Sequence, residues 1–258
     1  MLWLSFLMLL IIGTVMGISG IGGFLLPPLL LMIYEIALNE AILLGLGAQI
    51  LIYAASFYFY RREGRVNFTV SGLLIAGSVP GVLLGFLASI NLSGELLANI
   101  LAAVLVLLTL IILFPDSLQQ RLARFLSGGE RTQDADDELL SMQLLFLAGV
   151  GFTAGVMASL VGVGGPVITV PLLMAMGYKA RVSVGTSIFT GIFVVLTAFL
   201  FHFFYQQISF SLLLAVGFIS AFGSAGGAAI NDKIPAQYSK KAVLMATAAA
   251  IVYLLTAV

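Results

Sequence analysis

The chain has 258 residues, of which 61% are apolar and only 9% are charged, so its composition indicates an integral membrane protein rather than a soluble domain. It contains no cysteine, which excludes disulfides, thiolate catalysis and sulfur-ligated metal centres. Its formal net charge is zero, so the useful information lies in where the 11 Lys and Arg residues occur.

The first apolar segment covers residues 2–33. Its leucine-rich start lacks the basic region and the cleavage pattern of a signal peptide, so we expect it to be retained. Crossing a bilayer core about 30 Å thick takes roughly 20 helical residues, so this segment is longer than one span needs. A glycine-rich sequence at residues 20–23 interrupts it, and we call these residues the first glycine break.

Six further apolar segments have the length of single spans. A second long segment, residues 141–176, is interrupted at residues 162–165, which we call the second glycine break. Each long segment could form either an overlong crossing helix or a re-entrant hairpin. The six predicted spans lie at residues 41–60, 68–90, 96–114, 182–204, 208–230 and 239–257.

The distribution of basic residues distinguishes between these alternatives. If segment 141–176 crosses the membrane once, the 11 basic residues divide six against five between the two sides. If it enters and leaves on one side, all of them fall on one face, and the positive-inside rule makes that face cytoplasmic. We therefore expect a hairpin there and a cytoplasmic linker at residues 115–140. The basic residues are Arg61, Arg62, Arg65, Arg121, Arg124, Arg131, Lys179, Arg181, Lys233, Lys240 and Lys241.

The two halves of the chain repeat each other at an offset of 142 residues, which superposes the two glycine breaks and also Ser78 on Ser220. Between these anchors we expect a shift that pairs residues 47–49 with residues 185–187, across a loop four residues longer in the first half. Since three spans is an odd number, the second copy is inverted relative to the first. The sequence predicts an all-α integral membrane protein of two inverted-topology repeats, each a glycine-broken re-entrant helical hairpin plus three transmembrane helices. The first repeat covers residues 1–114 and the second covers residues 141–258.

Each glycine break precedes a predicted helix start, and in the second break Pro166 suits the first position of a helix. A helix start has unpaired backbone amides and a partial positive charge of about half a unit, which together bind anions. No Lys, Arg, Asp or Glu falls clearly inside a predicted span, so the backbone would supply the positive potential. The breaks therefore predict a small-anion site without a cofactor or a metal.

Several other residues have two interpretations. Glycines at four-residue spacing in segments 68–90 and 208–230 are typical of close helix packing. Polar side chains that could face the breaks could equally bond to their own helix backbone. His202 could carry a proton, but its aromatic neighbours favour a place in the interfacial aromatic belt. The polar candidates are Ser19, Gln49, Ser78, Thr169, Thr186, Ser187 and Ser220.

The second break and the residues after it carry a family resemblance. The sequence from Gly162 to Leu173, followed by Val-Gly-Thr-Ser at residues 184–187, resembles the sulfite exporter TauE/SafE family, also called the toluene-sulfonate uptake permease family. The resemblance covers nearly the whole chain. It implies a multi-pass protein of the plasma membrane, of the bacterial inner-membrane type, that moves sulfite or an organosulfur anion such as a sulfonate or sulfoacetate.

We therefore expect a secondary carrier in which the two breaks form a central anion site and the halves rock around it. Its partners would be a small anionic solute and the lipid bilayer, without nucleic acid; proton and sodium both stay open as the coupling ion. A passive anion channel is one alternative, although no charged pore ring is present. A membrane scaffold or an intramembrane enzyme is another, although only His202 could serve catalysis there. The expected site residues are Ser19, Gly20, Gly22, Gly23, Phe24, Gln49, Ser78, Gly162, Gly164, Gly165, Pro166, Thr169, Thr186, Ser187 and Ser220.

Overall fold

The computed structural model describes residues 2–113 and 136–231, and the regular structure in these two ranges is helical. Two of the helices end at the glycine breaks, and helical structure resumes a few residues later in both cases. The elements are α1 (Leu2–Ser19), a 3₁₀ turn (Gly23–Leu25) that continues into α2 (Leu26–Tyr34), α3 (Leu38–Arg62), α4 (Phe68–Asn91), α5 (Gly94–Leu113), α6 (Asp136–Val161), α7 (Pro166–Ala175), α8 (Ala180–Phe203) and α9 (Phe210–Ile230).

Five of the described helices are long and apolar enough to cross a membrane, which supports a multi-pass integral membrane protein. They are α3, α4, α8, α9 and the part of α6 from Leu144 to Val161, so four of the six predicted spans are confirmed as helices of that kind. The predicted span at residues 96–114 corresponds to α5. The predicted span at residues 239–257 lies outside the described residues, as does most of the linker, and α6 begins at Asp136, inside that predicted linker.

The first glycine of each break ends the preceding helix in the same way. The amide of Gly20 donates to the carbonyl of Met16 at 2.8 Å, and the amide of Gly162 donates to that of Ala158 at 3.0 Å. The backbone then turns into the left-handed region, with φ of 70° at Gly20 and 72° at Gly162. Residues with a Cβ adopt this conformation at a cost, so glycine lets the chain leave the helix at these two points.

Close backbone contacts hold α1 against α9 and α6 against α4. Gly13 of α1 lies against the carbonyl of Ser220 in α9, and Gly155 of α6 lies against the carbonyl of Ser78 in α4. A Cβ at either glycine would collide with the facing backbone, so glycine permits this close approach. The packing role predicted for the spaced glycines is confirmed, since backbone atoms of the neighbouring helix lie equally close to Gly77, Gly81, Gly85, Gly223 and Gly227.

The two interfaces correspond at the offset found in the sequence. Gly13 and Gly155 are 142 residues apart, as are the serines Ser78 and Ser220 that they contact. In both pairs the contacts advance together along the two helices: one turn after Gly13 contacts Ser220, Gly17 contacts the carbonyl of the next turn of α9. Helices α1 and α9 are therefore parallel, and the equivalent contacts make α6 parallel to α4.

The offset of 142 residues also relates α3 to α8, which begin at Leu38 and Ala180. The predicted shift that pairs residues 47–49 with residues 185–187 is therefore not found, and Gln49 corresponds to Gly191. A slip of four residues moves a helical side chain by about one turn and leaves it on nearly the same face, so a three-residue motif matches in either register.

Candidate functional site

The first glycine break is shaped by Ser19, the last residue of α1. Its hydroxyl oxygen lies 2.8 Å from the carbonyl oxygen of Val15 and 2.9 Å from that of Ile21, and the amide of Ile21 donates to it at 3.1 Å. Contacts of this kind fold the chain back at a helix end. The hydroxyl of Ser19 is thus engaged with its own backbone.

The second glycine break is shaped by the carbonyl of Gly165. This oxygen accepts from the amides of Ile168 and Thr169 at 3.0 Å and from the Thr169 hydroxyl at 3.1 Å. Pro166 takes the first position of α7, where its missing N–H sacrifices no hydrogen bond. Thr169 therefore closes the first turn of its own helix.

Four buried backbone amides at the breaks have no acceptor within the part of the chain that the structure describes. They belong to Gly22 and Gly23 in the first break and to Gly164 and Gly165 in the second. Buried N–H groups are nearly always paired in folded proteins, so four of them together require a physical explanation. All four lie where helical structure begins, which is where the positive end of the helix dipole concentrates.

Two polar side chains of α3 lie between the breaks. Gln49 Nε2 donates to the carbonyl of Gly162 at 3.1 Å, and the Tyr53 hydroxyl donates to Gln49 Oε1 at 3.3 Å. Both side chains are completely buried, with 0% of their surface exposed. Since residues four apart share one helix face, α3 directs both polar groups to the same place.

Both breaks contact this pair of side chains. A Cβ on Gly23 would collide with Gln49 Oε1 and would lie 3.0 Å from the Tyr53 hydroxyl oxygen, and a Cβ on Gly164 would collide with both atoms. Gly23 and Gly164 are 141 residues apart in the sequence, so the fold alone brings them to one amide and one hydroxyl. We call the four unpaired amides, Gln49 and Tyr53 the central site.

Tyr53 is the member of the central site that the sequence interpretation missed. The available signal was its spacing, four residues after Gln49 in an otherwise apolar helix. Tyrosine in apolar spans is also common at the membrane surface, so the residue type alone did not mark Tyr53, rather than Tyr58 or Tyr60, as a site residue. The contact with Gly164 makes that distinction.

Apolar groups surround the central site, and a hydroxyl without a partner in the described ranges lies one helical turn away along α8. Phe24 is fully buried, and a Cβ on Gly191 would lie 3.0 Å from Pro166 Cδ and 3.2 Å from Tyr53 Cε2. Ser187 precedes Gly191 by one turn on the same face of α8. Its buried hydroxyl has no hydrogen-bond partner among the described residues.

Three predicted site residues lie in helix contacts away from the breaks. Thr186 Oγ1 accepts from the amide of Asn67 at 2.9 Å, and its carbonyl accepts from the Ser71 hydroxyl at 3.2 Å, so Thr186 attaches the start of α4 to α8. Ser78 donates to its own helix at 2.8 Å. Ser220 is buried, with no partner for its hydroxyl in the described ranges. Ser78 and Ser220 both lie at the close helix interfaces described above.

His202 is buried rather than interfacial, with only 1% of its surface exposed. Its Nε2 lies 2.8 Å from the carbonyl oxygen of Ser159 and 3.3 Å from the Ser159 hydroxyl. The ring of Phe86 packs against the imidazole with 5.1 Å between the ring centres. The predicted place in the aromatic belt is therefore not observed, because the end of α6 and Phe86 cover the side chain.

The central site offers hydrogen-bond donors without formal charge. Across residues 2–113 and 136–231, each Lys, Arg, Asp and Glu lies in a terminal helical turn or in a connection between helices. Preorganised amides and hydroxyls away from water stabilise negative charge through their dipoles. The arrangement is thus suited to a small anion.

Comparison with known proteins gives one finding on the whole chain. The family model described as "Sulfite exporter TauE/SafE" matches residues 5–254. No significant match is found among curated proteins or solved structures. The matched range includes both glycine breaks and the α3 segment with Gln49 and Tyr53.

Proposed function

The chain belongs to the sulfite exporter TauE/SafE family of membrane transporters, and from this premise we propose that it is a secondary carrier that binds sulfite or an organosulfur anion at the central site. The observation that carries the proposal is that Gly23 and Gly164, one from each break, both lie against Gln49 and Tyr53, and each adjoins a second glycine whose buried amide is also unpaired. The family defines the chemical class of the solute, and the geometry supports the place where it binds.

The donors suit the oxygens of a sulfur anion. Sulfite and sulfonates present three oxygens, each of which accepts more than one hydrogen bond. Hydrogen bonds to a charged group contribute about 1.5–3 kcal/mol each, so several amides can offset the loss of water around the anion. The Tyr53 hydroxyl, which donates to Gln49 Oε1 in this structure, becomes a further donor when it turns toward the anion.

Complete burial of the central site supports a carrier over a passive channel. A continuous aqueous pore through the breaks would wet the polar groups of Gln49 and Tyr53, yet neither has exposed surface. A carrier passes through a state in which its site is closed to both sides, and this structure has that property at Gln49 and Tyr53.

The proposal includes two inverted repeats, and contacts at the far ends of α1 and α6 support it. Tyr60, near the end of α3, donates to the carbonyl of Gly17 in the last turn of α1 at 3.0 Å. His202, near the end of α8, contacts the carbonyl of Ser159 in the last turn of α6 at 2.8 Å. Since α2 and α7 lead back to the opposite ends of α3 and α8, each long helix and its short partner form a hairpin open to one side. A Cβ on Gly185, near the start of α8, would collide with the carbonyl oxygen of Arg65, just after the end of α3. The start of α8 therefore lies at the end of α3, so the two hairpins open to opposite sides.

Single cysteines test this topology, because the chain has none of its own. Lys179 precedes α8 and Gln207 follows it, and both are exposed. We expect a membrane-impermeant maleimide to label Gln207→Cys in intact cells and Lys179→Cys only after permeabilisation. Labelling of Lys179→Cys in intact cells, with Gln207→Cys reached only after permeabilisation, would contradict the inverted arrangement.

The transport assay uses purified protein in proteoliposomes. We expect saturable, counterflow-capable uptake of radiolabelled sulfite or of a sulfonate from a panel that also contains sulfate and chloride. Flux that rises linearly with concentration would favour a channel. If none of the sulfur anions is transported or stabilises the protein against thermal unfolding, the proposed function is wrong.

Tyr53→Phe removes one donor and leaves the ring in place. Because a hydrogen bond to a charged group contributes about 1.5–3 kcal/mol, we expect the KM for the transported anion to rise about 10- to 100-fold. Tyr58→Phe is the matched control on the same helix, since 61% of Tyr58 is exposed and its hydroxyl is remote from the breaks. Equal KM values for Tyr53→Phe and the wild type would remove Tyr53 from the site.

A further inference from the structure

His202 and Tyr60 occupy equivalent places in the two halves. They are 142 residues apart, as are Ser159 and Gly17, whose carbonyls they contact. Carbonyls at the end of an α-helix have no partner within the helix, so both side chains cap the long helix that precedes a glycine break.

The two caps differ in one chemical property. An imidazole that donates from Nε2 to a carbonyl keeps an unprotonated Nδ1, and Nδ1 of His202 is buried without a hydrogen-bond partner among the described residues. Histidine takes up a proton in the physiological pH range, whereas the hydroxyl of tyrosine does not lose its proton there. His202 is also the only histidine in the sequence.

Among the groups around His202, the end of α6 is the one that favours a proton. Its carbonyl partner Ser159 lies in the last turn of α6, where the negative end of the helix dipole stabilises a cation. The ring of Phe86 in α4 packs against the imidazole, and Tyr205 packs against the same ring. Glu95, at the start of α5, is exposed and makes no ion pair with the imidazole in the described part of the chain. The imidazole therefore meets dipoles and aromatic rings rather than a fixed charge.

His202 is also connected to the central site through a short piece of chain. It caps the end of α6, and the residues that follow directly form the second break with the unpaired amides of Gly164 and Gly165. A positive charge on the imidazole and a negative charge on an anion at these amides attract each other across a buried region of low dielectric. Binding of the proton then raises the affinity for the anion, and binding of the anion raises the affinity for the proton by the same factor.

We propose that His202 binds the proton that couples anion transport to the transmembrane proton gradient, with one proton carried on Nδ1 for each monoanion. This inference rests on the proposed carrier function. The proton adds to the lone pair of Nδ1 on one side of the membrane and leaves it on the other, so proton and anion move together without net charge. Tyr60 serves only as a cap at the equivalent place.

The test measures accumulation driven by a pH gradient in proteoliposomes. The probes are sulfite and methanesulfonate, and each variant is compared with the wild type under the same gradient, so that the titration of sulfite itself cancels. For one proton per monoanion, an inward gradient of one pH unit drives about tenfold accumulation. We expect this accumulation in the wild type and an internal-to-external anion ratio of about one in His202→Tyr. This variant carries the tyrosine that occupies the equivalent position in the first half.

Two further variants separate coupling from folding. His202→Gln keeps a donor for the Ser159 carbonyl and is likewise expected to lose accumulation. Tyr60→Phe removes the equivalent cap and is expected to lower the unfolding temperature while it keeps the tenfold response. Accumulation at the wild-type level in either His202 variant would overturn the proposal, as would a wild type that equilibrates the anion but ignores the pH gradient. A wild type that moves neither anion would instead contradict the carrier function itself.

The single histidine gives a readout that does not depend on transport. Protein labelled with ¹⁵N-histidine and purified without a histidine tag shows one imidazole, whose Nδ1 resonance reports its protonation. We expect Nδ1 to become protonated as the pH falls from 8 to 5, and at higher pH when sulfite is added. A resonance that stays unprotonated throughout, with and without sulfite, would contradict the proposal.

Discussion

Replacing Gln49 by glutamate is expected to lower the affinity for the sulfur anion by about 1,000-fold. The two side chains have nearly the same shape, so the substitution changes charge and one donor rather than packing. Two like charges about 4 Å apart repel by about 4 kcal/mol at the effective dielectric constant of such sites, and every 1.4 kcal/mol is a factor of ten. Loss of Nε2, which donates to the Gly162 carbonyl at 3.1 Å, adds to this effect.

The measurement is anion binding, by thermal stabilisation and by transport KM, on protein that elutes as a single species in detergent. Lowering the pH protonates the new carboxylate, so part of the affinity should return in Gln49→Glu under acidic conditions. Gln207→Glu is the control because Gln207 is exposed outside the helices. If Gln49→Glu binds the anion as well as the wild type at pH 8, the anion does not occupy the space beside Gln49.

Replacing Gly164 by alanine is expected to reduce the transport rate about 10- to 100-fold. The added Cβ would collide with Gln49 Oε1 and with the Tyr53 hydroxyl, so it fills the space where donors and anion have to meet. Overpacking of this kind typically costs 1–3 kcal/mol, which sets the expected range. Gly23→Ala, whose Cβ would collide with Gln49 and only approach Tyr53 at 3.0 Å, should show a smaller loss.

Gly149→Ala is the matched control for the glycine variants. Gly149 lies on α6, the helix that precedes the second break, and a Cβ there meets no atom within 4 Å. Its transport rate should stay within about twofold of the wild type, since surface substitutions of this kind change stability little. Wild-type transport by Gly164→Ala, with normal insertion, would show that the breaks only permit the turn and do not bind the solute.

Local sequence patterns predicted most of the helical architecture because hydrophobic length and helix-breaking residues act over a few turns. The spans at residues 41–60, 68–90, 182–204 and 208–230 follow from apolar length alone, and α3, α4, α8 and α9 occupy them. Gly20 and Gly162 interrupt helices where the sequence indicates, because the left-handed turn is a local property of glycine. The packing role of the spaced glycines could also be predicted, since their four-residue spacing places them on one helix face.

Side chains whose partners lie on other helices were harder to assign. Thr186 and Ser78 have the same residue types as plausible ligands, yet Thr186 holds the amide of Asn67 and Ser78 bonds to its own helix. His202 sits among aromatic residues in the sequence, and only the arrangement of α6 over α8 shows that it is buried at a helix end. The sequence does not indicate which hydrogen-bond partner a hydroxyl or an imidazole will have in the fold.

By itself, the sequence determined that this is a helical membrane protein with two related halves, each broken by glycine at the same relative place, because these properties depend on composition and short-range spacing. Only the tertiary structure decided that the two breaks meet at Gln49 and Tyr53. Gly23 and Gly164 approach one amide and one hydroxyl across 141 residues of chain, and Tyr53 becomes part of the site through that approach. The physical reason is that backbone amides have no sequence signature: every residue except proline carries one, and only the fold determines which of them stay unpaired in the interior.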